Sequence, residues 1–209
     1  MSVLPQLASS QKRKDEEPNI KLAEVIVASN NKAAIKELIH CLHHQNKGIR
    51  HDCIKVLYEI GNRKPVLIAA YVEKILELLT STDNRMVWGA MAALDAIASE
   101  KSQVLYKKIK QIEAAALKGS VITRDHAVGI FIKLCSIGSY AEEMFNLLLL
   151  QLNTCPVNQL PMYAERSLPV LTGKQKVAFA EALHRRIPEL EKKSQEARLR
   201  KVIKKTGYT

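Results

Sequence analysis

The stretch IRHDCIKVLYEIG, residues 49–61, decides the fold, because its apolar pattern returns three more times at an interval of 37. MVWGAMAALDAI from Met86, TRDHAVGIFIKL from Thr123 and LPMYAERSLPVL from Leu160 align with it without a gap. The first, fifth, ninth and twelfth positions are Ile49, Cys53, Leu57, Ile60; Met86, Ala90, Leu94, Ile97; Thr123, Ala127, Phe131, Leu134; and Leu160, Ala164, Leu168, Leu171. Fifteen of these sixteen are apolar, where a hydrophobic share of 47% predicts about half. At about 100° per residue these positions fall within roughly 80° of arc on a helix, so each segment reads as a helix with one buried stripe. The small fifth residue is where a neighbouring backbone can approach.

A second helix precedes each of these in the same period. Leu38, Ile75, Ile112 and Leu149 are followed three residues later by Cys41, Leu78, Ala115 and Leu152. Polar turns separate the paired helices: 45–48, 81–84, 118–120 and 154–158. Asp83 or Asn84 suits an N-cap. Breaks between repeats fall at 61–65, 99–102, 138–139 and 172–173, with Pro65 suited to the first turn of a helix.

This unit, with its Ile-Arg start, small residue, leucine and Ile-Gly ending, resembles a HEAT repeat. Ile49-Arg50 to Ile60-Gly61 is the nearest copy; Arg124 keeps the arginine, while Val87 and Pro161 replace it. The resemblance covers residues 31–171 and implies a right-handed α-solenoid whose second helices line a concave face. The expected fold is therefore all-α: about four HEAT-like helix-turn-helix repeats with helical caps. The ends do not repeat. Residues 1–18 are expected as a loose N-terminal tail and 19–173 as the repeat domain, including a cap helix near Asn19–Ala28. Residues 174–209 are expected as two basic capping helices of the same domain, Lys174–Arg186 and Pro188–Lys205.

Composition excludes other classes. With 209 residues and 25% charged side chains the chain can bury a core, and eight glycines, seven prolines and 5% aromatics argue against a β-sandwich. The four cysteines, Cys41, Cys53, Cys135 and Cys155, form no CxxC and no dense framework, which points to reduced thiols in an intracellular protein, cytoplasmic or, in a eukaryote, nuclear. The start, MSVLPQLASSQKRKDEEP, has its basic cluster after a broken apolar stretch, the reverse of a secretory signal. The longest apolar run, Val66 to Val72, is far short of the ~18–20 residues of a membrane span.

Charge and chemistry are less specific. Of a net +11, residues 174–209 hold 11 Lys/Arg against 4 Asp/Glu. Lys192, Lys193, Arg198, Arg200, Lys201, Lys204 and Lys205 form a basic patch that could neutralise phosphates or serve as a solvated cap. His40, Cys41, His43, His44, His51 and Cys53 suggest a metal cluster, but Cys41 and Cys53 lie on buried columns and His40 on a surface column, so no metal is expected. No Gly-rich phosphate loop, nucleophile elbow or paired-carboxylate motif is present, and no cofactor is expected. The repeat register places His51, Lys55, Tyr58, Trp88, Asp95, Asp125, Lys133, Met162 and Arg166 away from the stripe, on the concave face. Tryptophan, tyrosine, methionine and arginine are types enriched at protein interfaces. The expectation is a non-enzymatic scaffold or adaptor that binds a protein partner there, with no membrane role and an open oligomeric state. The alternative is a nucleic-acid-binding HEAT-like protein. That alternative includes an activity like that of the alkylpurine DNA glycosylases, for which Trp88, Asp95, Arg124 and Asp125 are the candidates, although their spacing departs from that family.

Overall fold

The structure, a computed structural model, describes residues 2–208, and twelve α-helices with no strand occur among them. The chain divides into two compact units, one ending at Ala127 and the other beginning at Val128. The single body expected from residue 19 onward is thus described as two.

In the N-terminal unit, α1 (Glu17–Ser29), α3 (Lys47–Arg63) and α5 (Asn84–Ala96) lie side by side, with α3 between the other two. Helix α2 (Lys32–His40) packs on α3, and α4 (Val72–Glu77) on α5. Helices α6 (Ser102–Lys107) and α7 (Ile109–Lys118) follow, and α8 (Val121–Cys135), within which the boundary between the units falls, carries the third copy of the stripe. Polar caps start two helices at expected turns, Asn46 accepting from the Gly48 amide at 2.8 Å and Asp83 from Arg85 at 3.1 Å, and Asn31 caps α2 by accepting from the Ala34 amide at 3.0 Å. Fourteen of the sixteen stripe residues are buried; Ile49 and Leu168 are half-buried.

Two differences from the expected pattern stand out. The breaks between repeats carry helix of their own: 3-10 turns at Pro65–Leu67 and Ala69–Tyr71, and α6 at the position one period later. Repeats of this class carry two or three helices, and here the third is present. The first residues are not a loose tail. Val3, Leu7 and Ala8 are buried, the Ala8 amide donates to Asn19 Oδ1 at 3.0 Å, and the Ser9 amide donates to Asp52 Oδ2 at 2.7 Å. Asn19 in turn donates to Asp52 Oδ1 at 2.8 Å, so a buried polar network ties this segment to α1 and α3. The segment is held at α1 by Asn19 and at α3 by Asp52, which keeps Leu7 and Ala8 out of solvent.

The C-terminal unit holds α9 (Ala141–Thr154), α10 (Leu160–Ser167), α11 (Gly173–Arg186) and α12 (Lys193–Thr206). Helix α11 packs on α9, and α12 on both α10 and α11. Pro169 ends α10 early, because it has no N–H to continue the ladder, and a 3-10 turn Leu168–Val170 follows. A capping box of Thr172 and Gln175 opens α11. Buried Arg186 closes α9, donating through Nη1 to the carbonyls of Leu152 and Cys155 at 2.8 and 3.0 Å. The last helix has its own stripe of Leu199, Val202, Ile203 and Thr206, out of register with the repeats.

Candidate partner-binding surface

The face that α1, α3 and α5 share carries the densest group of the residues expected to bind a partner. Helix α3 contributes His51, Lys55 and Tyr58 from successive turns, and α5 contributes Trp88 one turn in from its cap. Gly89 permits this closeness: a Cβ there would sit 2.8 Å from Ile54 Cγ1, so α5 approaches α3 nearer than any other residue allows. Asp83 caps α5 with Oδ1 and holds His51 Nε2 of α3 with Oδ2 at 2.8 Å.

Tyr58 and Trp88 meet across the two helices, their ring centroids 5.8 Å apart and tilted by 50°. Lys55 Nζ lies 4.8 Å from the Tyr58 ring centroid and Arg85 Cζ 5.9 Å from that of Trp88. Lys55 also pairs with Glu59 at 2.9 Å and with Glu16 at 3.0 Å, and Arg85 pairs with Glu16. Burial opposes the Lys55 charge, but contacts with Tyr58, Glu59 and Glu16 outweigh it and raise its pKa above the ordinary lysine range. Burial likewise pushes the Tyr58 hydroxyl up. Burial works against the charges of Asp83 and Glu59 as well; His51 overcomes it at Asp83, and Lys55 with Arg63 at Glu59, so both carboxyls end below their usual values.

The register expectation is corrected at two positions. Lys55 and Tyr58 are not open surface: they are only 8% and 9% exposed. Long side chains on a helix lie down along its neighbours, and here α1 and α5 cover them. His51 and Trp88 are half-buried, as are Asp95 and Asp125. Asp95 Oδ2 stands 3.0 Å from His126 Nδ1. Lys133, Met162 and Arg166 belong to the C-terminal unit, the first two half-buried and Arg166 exposed. Sequence reasoning missed Glu16 and Arg85. Arg85 precedes the first repeat position by one residue, and Glu16 lies outside the repeat, so periodicity carried no signal for either.

The seven residues of the basic patch are all exposed. Arg198 is paired with Glu165 at 2.6 Å and Arg200 with Glu196 at 2.7 Å. All four cysteines are buried free thiols, and no group of three or more metal-ligating side chains occurs among the described residues. A groove of about 480 Å³ lies elsewhere in the N-terminal unit, lined by Leu79, Val87, Gln111 and Ala115 among others, and includes none of the expected binding residues. Among the described residues no helix is long and apolar enough to cross a membrane.

By sequence, the chain matches no protein-family model and no curated protein. By structure it is similar to a designed armadillo repeat protein in complex with peptide (KR)4, with a TM-score of 0.67 at 15% identity over 97% of this chain and 99% of that one. The fold is an armadillo/HEAT-like helical repeat. A computationally designed armadillo repeat protein for modular peptide recognition also matches, with a TM-score of 0.67 at 13% identity over 99% of this chain and 100% of that one. An archaeal HEAT-like repeats protein from Thermococcus onnurineus NA1 matches with a TM-score of 0.51 at 13% identity over 92% and 97%. As in armadillo/HEAT-like repeats generally, stacking of neighbouring helices rather than a central core orders the α3–α5 face.

Proposed function

We propose that this chain is a non-enzymatic, intracellular interaction module that binds a protein partner on the α3–α5 face, with Trp88 as anchor. One observation carries the reading: Trp88 is half-buried and braced between Tyr58 and Arg85, so a large amphipathic ring is held in place before any partner arrives. A pre-ordered aromatic loses little side-chain freedom on binding, and such residues concentrate interface energy. The structural similarity to an armadillo design bound to a peptide supports the use of this fold for peptide-like partners. His51, Asp95 and Asp125 extend the proposed contacts in the N-terminal unit; Lys133, Met162 and Arg166 are proposed contacts of the C-terminal unit taken by itself. Residues 19–173 form the repeat body in this reading, and 174–209 its basic cap.

The test compares wild type with Trp88→Ala in affinity capture from native lysate, with and without nuclease. A nuclease-resistant partner is expected to bind the variant about 2 kcal/mol more weakly, at unchanged helical content. Loss of thermal stability with retained binding would refute the anchor role.

A second reading, nucleic-acid binding, draws support from the exposed cations of α12. Because Leu199, Val202 and Ile203 are buried, deleting this helix would uncover core; reversal of Lys201 and Lys204 to glutamate is the cleaner test. Affinity for a DNA oligonucleotide should fall steeply with salt in wild type and lose part of that slope in the variant.

A further inference from the structure

Two cations of the α3–α5 face converge on one carboxylate of the chain itself. Glu16, the N-cap residue of α1, sets Oε2 3.0 Å from Lys55 Nζ and Oε1 against Arg85 Nη2. Lys55 comes from α3 and Arg85 from α5, and the rings of Tyr58 and Trp88 lie beside them. The arrangement is an oxyanion site of two charges and two aromatic faces, already holding an acidic side chain.

Glu16 fills this site incompletely. Arg85 Nε is buried and has no hydrogen-bond partner, while Nη2 is engaged. Nε and Nη2 are a pair that a carboxylate takes bidentately, with two parallel hydrogen bonds. Glu16 divides its oxygens between Lys55 and Arg85 and so cannot meet both guanidinium donors. It is also the replaceable partner: Lys55 keeps Glu59 at 2.9 Å if Glu16 leaves. The residues just before Glu16, from Gln11 to Asp15, are exposed.

We propose that Lys55 and Arg85, framed by Tyr58 and Trp88, form a binding site for an acidic peptide segment of a partner, closed in the free chain by the carboxylate of Glu16. The occupant seen here defines the chemistry, for Glu16 sits in the acidic peptide stretch Asp15-Glu16-Glu17-Pro18. The half-buried Trp88 ring, backed by Tyr58, offers an apolar contact to a side chain next to the incoming carboxylate. This inference rests on the partner-binding reading of the α3–α5 face.

Trp88 is the only tryptophan, so its fluorescence reports on the site directly. The probe is an acetylated peptide of sequence DEEPNI, copied from residues 15–20, titrated into wild type and Glu16→Ala. A self-ligand that occupies its site about 90% of the time lowers apparent affinity about tenfold, so Glu16→Ala should bind the peptide about tenfold more tightly. Adding Arg85→Met to that variant should remove the gain. Equal affinity in wild type and a Glu16→Ala variant shown folded by circular dichroism overturns the proposal, as does binding indifferent to Arg85→Met. A response to peptide (KR)4 but not to the acidic peptide overturns the oxyanion site and leaves the face reading standing. So does silence toward the acidic peptide while native-partner capture still depends on Trp88. Tighter binding of a single-stranded oligonucleotide than of the peptide, lost with Arg85→Met, overturns the acidic peptide as the occupant.

Discussion

Replacing Gly89 with alanine sets two effects of opposite sign against each other. In a helix interior alanine is favoured over glycine by about 1 kcal/mol, so propensity alone forecasts a more stable protein. The packing forecasts the reverse. The added Cβ would lie 2.8 Å from Ile54 Cγ1, 3.0 Å from Cγ2 and 3.5 Å from Cβ. Ile54 is 1% exposed, and a β-branched side chain in a helix has essentially one χ1 state; with both branches in the way, rotation relieves nothing. Helix α5 must therefore move from α3, at the ~1–3 kcal/mol typical of overpacking, and this site belongs in the upper half of that range. The expected net loss is about 1–2 kcal/mol. Each kcal/mol lowers the melting temperature by roughly 2–4 °C in a chain of this size. Urea and thermal unfolding followed by Trp88 fluorescence read the N-terminal unit specifically, since the tryptophan adjoins the substituted position. In an Ile54→Ala background the clash is gone, so Gly89→Ala should cost nothing further there, giving a coupling energy of the kind expected for residues in contact. A Gly89→Ala protein as stable as wild type, or additive behaviour in the double variant, would refute this account of how the face is assembled.

Other expectations follow from the same contacts. Leu94→Ala and Phe131→Ala each remove a large side chain that is 0% exposed and should cost about 2–5 kcal/mol in chemical denaturation; losses under about half a kcal/mol at both would show the repeat register to be wrong. Arg186→Met strands the carbonyls of Leu152 and Cys155 and should destabilise by about 2–4 kcal/mol, checked by the urea midpoint with circular dichroism. Asp83 and Glu59 have folded pKa values below their ordinary ones, so their contribution to stability is complete above the usual carboxylate range and disappears as pH falls through the folded values. Melting temperature should therefore drop from pH 6 toward pH 3, and Asp83→Asn should flatten part of that drop; an equally steep profile in the variant would count against the His51–Asp83 pair as its source.

Local periodicity determined most of the architecture. Cys53, Leu57, Ala90, Leu94, Ala127 and Phe131 are buried where the 37-residue register puts them, because burial of one helix stripe follows from 3.6 residues per turn and needs no knowledge of distant chain. The same logic found the cap at Asp83 and the helix after Thr172, whose signals are local, but it started the last helix at Pro188, where the structure has a 3-10 turn Ile187–Glu189 and begins the helix at Lys193. It failed where the period is broken. The packing of Val3, Leu7 and Ala8 depends on Asn19 and Asp52, side chains from two helices whose relative placement no short window encodes. The binding face shows the same limit. Sequence alone marked Trp88, Tyr58 and Lys55 as turned from the stripe, but only the tertiary structure decided that Lys55 is buried and that Glu16 reaches Arg85 across 69 residues. Long charged side chains choose partners by distance between helices, and the separation of α1, α3 and α5 is set by packing at contacts such as Gly89 against Ile54, not by the spacing of the charges along the chain.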